Sequence, residues 1–143
     1  MAPIGGPTGG GQAGFGSGGS FTGPAEALEL VGDHGYAYSG NVGITSSNTT
    51  MLKFTTGNYY FVGGLELHGD FATIAANNTI IRILMNGSEI VATTNTTQQD
   101  STLFDYPIQI IMPSYTEVEI TMAHAQGTTI DMQATLVGRI YRE

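Results

Sequence analysis

The sequence predicts an all-β fold: a single jelly-roll-like β-sandwich of about eight antiparallel strands behind an extended, Gly-rich N-terminal arm. Three observations predict it. Beyond residue 26, apolar residues recur mainly with a period of two, the period of a strand with one dry face. Turn-forming sequences separate short apolar runs, Asn86-Gly87 most plainly, because a type I′ hairpin needs positive φ at both central positions. No segment carries a helical stripe of useful length, and "AEALEL" (25–30) is too short to stand as a helix without caps.

The arm spans residues 1–25 and the sandwich domain residues 26–143. Ten of the 21 glycines precede Pro24, and the first charged residue is Glu26. Glycine loses more backbone freedom on ordering than any other residue, and this stretch has little apolar surface to offset that loss. The arm is therefore expected to need a partner, with Ile4, Phe15 and Phe21 as apolar anchors and Pro7, Gln12, Thr22 and Pro24 completing the contact set. Gly9, Gly11 and Gly14 match the dinucleotide fingerprint G-x-G-x-x-G, but no strand precedes them and no helix follows, so glycine density explains the match.

The expected strands follow in order. "ALELVG" (27–32), "GYAYSGNVGI" (35–44) and "MLKF" (51–54) come first. "NYYFVGGLEL" (58–67) and "TIIRILM" (79–85) are apolar on both faces, which places them centrally or at an interface. "SEIVATT" (88–94) closes the Asn86-Gly87 hairpin, "TTNTTQQDST" (93–102) is a polar loop, and "PIQIIM" (107–112) is a short strand ended by the "MPSY" turn. In "YTEVEITM" (115–122), Val118, Ile120 and Met122 face one way while Glu117, Glu119 and Thr121 face the other. In "DMQATLVGRIY" (131–141), Met132, Ala134, Leu136 and Ile140 share a face. Eight or nine strands in this length make the jelly roll the first choice.

The chain has 143 residues, enough for one domain with its own core, and no cysteine, so disulfides and thiolate metal sites are excluded. Four Lys and Arg against 12 Asp and Glu give a net charge of −8. Lys53, Arg82, Arg139 and Arg142 are too few cations to replace the counterions of a nucleic acid or to hold an anionic membrane. No apolar run is long enough for a membrane helix, and the N-terminus lacks a signal peptide's basic start and apolar middle. Asn48, Asn77, Asn86 and Asn95 stand in sequons that are expected to be unused without such a signal.

Catalytic chemistry is thinly represented, and no cofactor is expected. His68, Asp70 and His124 have the residue types of the two-His-one-carboxylate iron triad, and Arg139 could hold a cosubstrate. "LHGD" reads equally as a strand end entering a turn, Asp33-His34 reads as a solvated turn, and Glu117 with Glu119 as a wet strand face. No G-x-S-x-G elbow is present. Tyrosine, by contrast, is abundant and suits surfaces that are half dry. Tyr59, Phe61, Leu65, Ile80, Arg82 and Leu84, in the two doubly apolar strands, are the candidate subunit interface.

The stretches "VGDHGYAYSG", "LKFTTGNYYFVGGL", "YPIQIIMPSYTEVEITM" and "ATLVGRIY" resemble short β-sandwich virion proteins of tailed bacteriophages, many of them marine. Two recurring segments carry the likeness: Pro113-Ser114-Tyr115-Thr116-Glu117-Val118, and Val137-Gly138-Arg139-Ile140-Tyr141, where Val137 replaces the usual Thr. The resemblance covers roughly residues 24 to 142 and brings no catalytic residue. It implies a virion component. The expected function is a capsid decoration protein on the outer shell, a homotrimer anchored by its arm to the major capsid protein or another virion protein. A glycan-binding or adhesive head-fibre or tail module, with Tyr59 or Tyr106 as a stacking platform, is the first alternative; the small iron oxygenase is the second.

Overall fold

The computed structural model describes residues 25–69, 79–95, 108–124 and 129–142. Ten strands form two antiparallel sheets: β1 (Glu29–Val31), β2 (His34–Tyr38), β3 (Val42–Ile44), β4 (Thr49–Thr55), β5 (Tyr60–Gly69), β6 (Thr79–Met85), β7 (Ser88–Asn95), β8 (Ile108–Met112), β9 (Glu117–His124) and β10 (Ile130–Tyr141). One sheet runs β1-β2-β10-β5-β8, with β3 also paired to β10; the other runs β4-β9-β6-β7.

This is the strand order of a jelly roll. β2 and β3 lie end to end along one side of β10 and fill a single strand position. Counting them as one and setting aside the short edge strand β1, the chain passes alternately between the two sheets in the jelly-roll manner, except at the β6–β7 hairpin within the four-stranded sheet. The sequence reads "GYAYSGNVGI" as one strand; the break falls at Ser39-Gly40. Gly40 has φ 68°, and Ser39 Oγ accepts a 2.8 Å hydrogen bond from Ala134 N, so a side chain replaces the ladder bond where the backbone turns away.

The core lies between the sheets. Its fully buried side chains come from both layers: Phe61 and Leu65 on β5, Met132 and Leu136 on β10, Ile81 and Ile83 on β6, and Ile120 and Met122 on β9. The inward sets expected for the strands at 115–122 and 131–141 are buried as expected. β5 and β6 are interior strands, each paired on both sides, the central position expected for them.

Turns follow their chemistry. Asn86 and Gly87 have φ 51° and 83°, the two positive values of the type I′ hairpin joining β6 to β7. At its N-terminal end the described part of the chain reaches Ala25. Ala25 bridges to Leu52 in parallel, donating to Met51 O at 3.1 Å and accepting from Lys53 N at 2.8 Å, and so covers part of the β4 edge.

Candidate interaction surfaces

The expected interface residues divide by strand parity. On β5, residues 61, 63, 65 and 67 point inward, so Phe61 and Leu65 are core residues. This corrects their assignment to a subunit contact: their side chains are spent within a single chain. The outward set of the same strand is Tyr60, Val62, Gly64, Glu66 and His68. Tyr59 precedes the strand and packs against the core from its margin. Ile80, Arg82 and Leu84 do share the outer face of the four-stranded sheet and are half-buried there. Arg82 is tied in place, with Nη1 donating to Asn48 Oδ1 at 2.7 Å and Nε 3.1 Å from Glu89 Oε1. The arm residues Ile4, Pro7, Gln12, Phe15, Phe21, Thr22 and Pro24 lie outside the described residues, as do Asp70 and Tyr106.

The two candidate metal histidines are not brought together. His68 projects from the outer face of the six-stranded sheet, with Nε2 3.4 Å from Glu66 Oε1. His124 ends β9 in the opposite sheet, is 3% exposed, and has Nε2 2.8 Å from the carbonyl oxygen of Ile44. A carbonyl only accepts, so that nitrogen carries the proton and donates, and its lone pair is not offered to a metal. Among the described residues no three His, Cys, Asp or Glu side chains cluster as a metal site would need. Asp33 meets Arg139 at 3.8 Å in the exposed β1–β2 turn, and Glu119 accepts from Thr50 Oγ1 on the outer face of β9.

The sheet faces carry more information than any cluster of polar groups. Register sets the outer face of the six-stranded sheet in rows across the strands. One row runs Val31, His34, Arg139, Val62 and Ile111 from edge to edge; the next runs Tyr36, Val137, Gly64 and Gln109. Val31 and Val137 are each 51% exposed, Ile111 62% and Tyr141 47%. Four of the six large apolar side chains most exposed among the described residues thus share one face. Aromatic pairs flank them: Tyr36 and Tyr38 have ring centroids 4.8 Å apart, and Tyr60 stacks on Tyr141 at 6.1 Å with planes inclined 25°. Burial, with Glu29 and Tyr38 nearby, raises the Tyr36 hydroxyl above its ordinary value of 10.0.

A second apolar feature opens where the edges of the two sheets approach. Met85, Ile90, Val91, Ile110 and Pro113 line a shallow groove of about 610 Å³ between β7 and β8. It runs onto the six-stranded face through Val62 and Ile111.

No family model, no curated protein and no solved structure matches this chain. The apolar outer face was not singled out from sequence, although its residues are visible there. Val137 and Ile111 stand at alternate positions in strands whose other face is the core, and a run apolar at both parities is the signal that could have found them.

Proposed function

We propose that this chain is a structural, non-enzymatic virion protein, a decoration protein on the outer surface of a tailed-phage capsid. The observation that carries the reading is the division of labour within the chain. A 25-residue uncharged, Gly-rich segment precedes a jelly-roll sandwich in which, among the described residues, four large apolar side chains are exposed on one sheet face. The arm binds the major capsid protein or a neighbouring virion protein. Glycine allows close backbone approach, and the cost of ordering is met by contact with the shell. The sandwich faces solvent and self-associates, with the trimer as the expected order. Clustered copies multiply weak arm contacts into firm attachment. The net charge of −8 suits an outer surface that must not adhere to nucleic acid released nearby.

The test mixes the full chain, and a chain beginning at Pro24, with undecorated capsids. Co-sedimentation of the full chain alone, in fixed copy number by electron cryo-microscopy, is the expected result. Equal binding by both would assign the contact to the sandwich and make the arm a spacer. Binding by neither removes the capsid reading. A glycan-binding module is favoured by one observation, the exposed Tyr141 stacked on Tyr60, since stacked aromatic faces suit sugar rings. Glycan-array binding that disappears in Tyr141→Ala would establish it.

A further inference from the structure

We infer that the outer face of the six-stranded sheet is the surface on which a second copy of this chain docks, with Arg139 of one copy set against Glu66 of the next. The inference rests on the self-associating structural protein proposed above and names its contact. It also moves the contact away from the four-stranded face, where Ile80, Arg82 and Leu84 are half-buried and Arg82 is already engaged by Asn48 and Glu89.

Three features point to a copy of the same chain. The first is apolar exposure gathered in one place: Val31, Val137 and Ile111 cross the sheet, with Tyr141 beside them. Isolated apolar residues are normal on a surface, but four large ones gathered on one sheet face mark a contact. The second is size. At about 3.3 Å per residue and about 4.8 Å between strands, the five paired strands present roughly 550 Å² of flat sheet. Two such faces come to about 1,100 Å² before side-chain relief is added, close to the ~1,200 Å² at which specific interfaces begin.

The third feature is charge. Identical chains of net charge −8 repel one another except where opposite charges can be matched. On this face the Arg139 and Glu66 side chains are 55% and 50% exposed; each has a loose surface neighbour, Asp33 at 3.8 Å and His68 at 3.4 Å, of the kind that contributes little and that a second copy can displace. They lie in different rows: Arg139 pairs across to Val62, and Glu66 to Thr135, four residues along β10 from Arg139. Arg139 therefore stands within the Val31–Ile111 row, between Val137 and Tyr141 along β10, and Glu66 lies beyond the Tyr36–Val137 row. A neighbouring copy placed with its Glu66 against Arg139 matches opposite charges and draws the apolar side chains around Arg139 into the contact, the arrangement of a specific protein contact.

The experiment is sedimentation equilibrium of the full chain, without capsids, at tens of micromolar. The wild type is expected as an oligomer. Arg139→Glu and Val137→Lys are each expected to shift the dissociation constant upward by at least tenfold, while their secondary structure and cooperative unfolding persist, because both side chains are exposed. The double variant Arg139→Glu/Glu66→Arg is expected to recover the oligomer. A monomeric wild type overturns the inference. So does an oligomer that ignores Arg139→Glu and Val137→Lys but dissociates in Ile80→Lys. Capsid binding is read separately, by co-sedimentation of the same variants, so failure of this contact is distinguishable from failure of the capsid reading.

Discussion

Gly35 on β2, Gly138 on β10 and Gly63 on β5 are cross-strand neighbours, and the Phe61 ring lies against all three. A Cβ on Gly138 would sit 2.2 Å from Val62 O and 2.7 Å from Phe61 Cζ; one on Gly63 would sit 2.4 Å from Phe61 Cε1. The glycines leave room for the ring and for the close backbone of the neighbouring strand, which is the usual meaning of glycine inside a strand. Gly138→Ala is therefore expected to cost about 1–3 kcal/mol through overpacking, measured by denaturant unfolding. An unchanged midpoint would show that both the ring and the adjacent β5 backbone give way freely. Thr121 presents the opposite case. Its Oγ1 is buried with no hydrogen-bond partner among the described residues, so Thr121→Val is expected to stabilise the fold by about 1 kcal/mol; a lowered melting temperature would contradict this. Tyr36 gives a pH dependence. Its hydroxyl is raised above 10.0, so the folded chain holds the proton more tightly than the unfolded chain does. Its contribution is complete below the unfolded value and is lost as pH rises through the folded one. Tyr36→Phe should unfold with less change between about pH 9 and about pH 11 than the wild type, and an identical decline in both would rule the residue out. The sequence showed the glycines but not the ring above them, since contact across three strands is a property of register. It likewise supplied His68 and His124 as a pair and could not show that they belong to different sheets.

At the level of elements, the period-two pattern located nearly every strand, because each strand on this chain has one face that must be dry. The break between β2 and β3 was not legible: both halves alternate correctly, and only the Ser39 hydroxyl bonding to β10 reveals that the backbone has left the ladder. The turn after β8 was legible as a turn but not as an anchored one. Thr56 Oγ1 donates to Pro113 O at 2.6 Å and accepts from Thr116 N at 2.9 Å, and Thr56 N donates to Thr116 O at 3.0 Å. Thr56 and Thr116 are both buried, whereas Tyr115, at φ 52°, is exposed at the tip. The Pro113–Val118 segment thus contains a structural clamp joining the β4–β5 connection to the β8–β9 turn. Thr56→Val keeps the shape and removes both side-chain bonds, leaving a buried N–H and a carbonyl without that partner. The expected loss is about 2–3 kcal/mol, read as a lowered denaturation midpoint. A loss no larger than that of an exposed control such as Thr55→Val would mean that water replaces the hydroxyl.

For the whole molecule, the question is where the fold begins. Among the described residues the buried core runs from Ala37 to Ile140, and the Gly-rich composition of residues 1–24 offers little apolar surface of its own. Ala25 differs, because its two backbone bonds to β4 occupy an edge that would otherwise offer unpaired groups to another chain. Leu28 and Leu30 also pack against the core from outside. Two truncations should therefore behave differently although they differ by only a few residues. A chain beginning at Pro24 keeps the Ala25 bridge and is expected to unfold at the same temperature and denaturant midpoint as the full chain. A chain beginning at Glu29 loses the bridge and Leu28, uncovers the β4 edge, and is expected to be less stable and to aggregate on heating. Differential scanning calorimetry with light scattering separates the cases. If the Pro24 chain melts early, the Gly-rich segment is part of the domain and its glycines serve the fold rather than a partner. If it melts with the full chain, the segment is free of any folding role, and its uncharged, glycine-dense composition has to be explained by what it touches outside this sandwich.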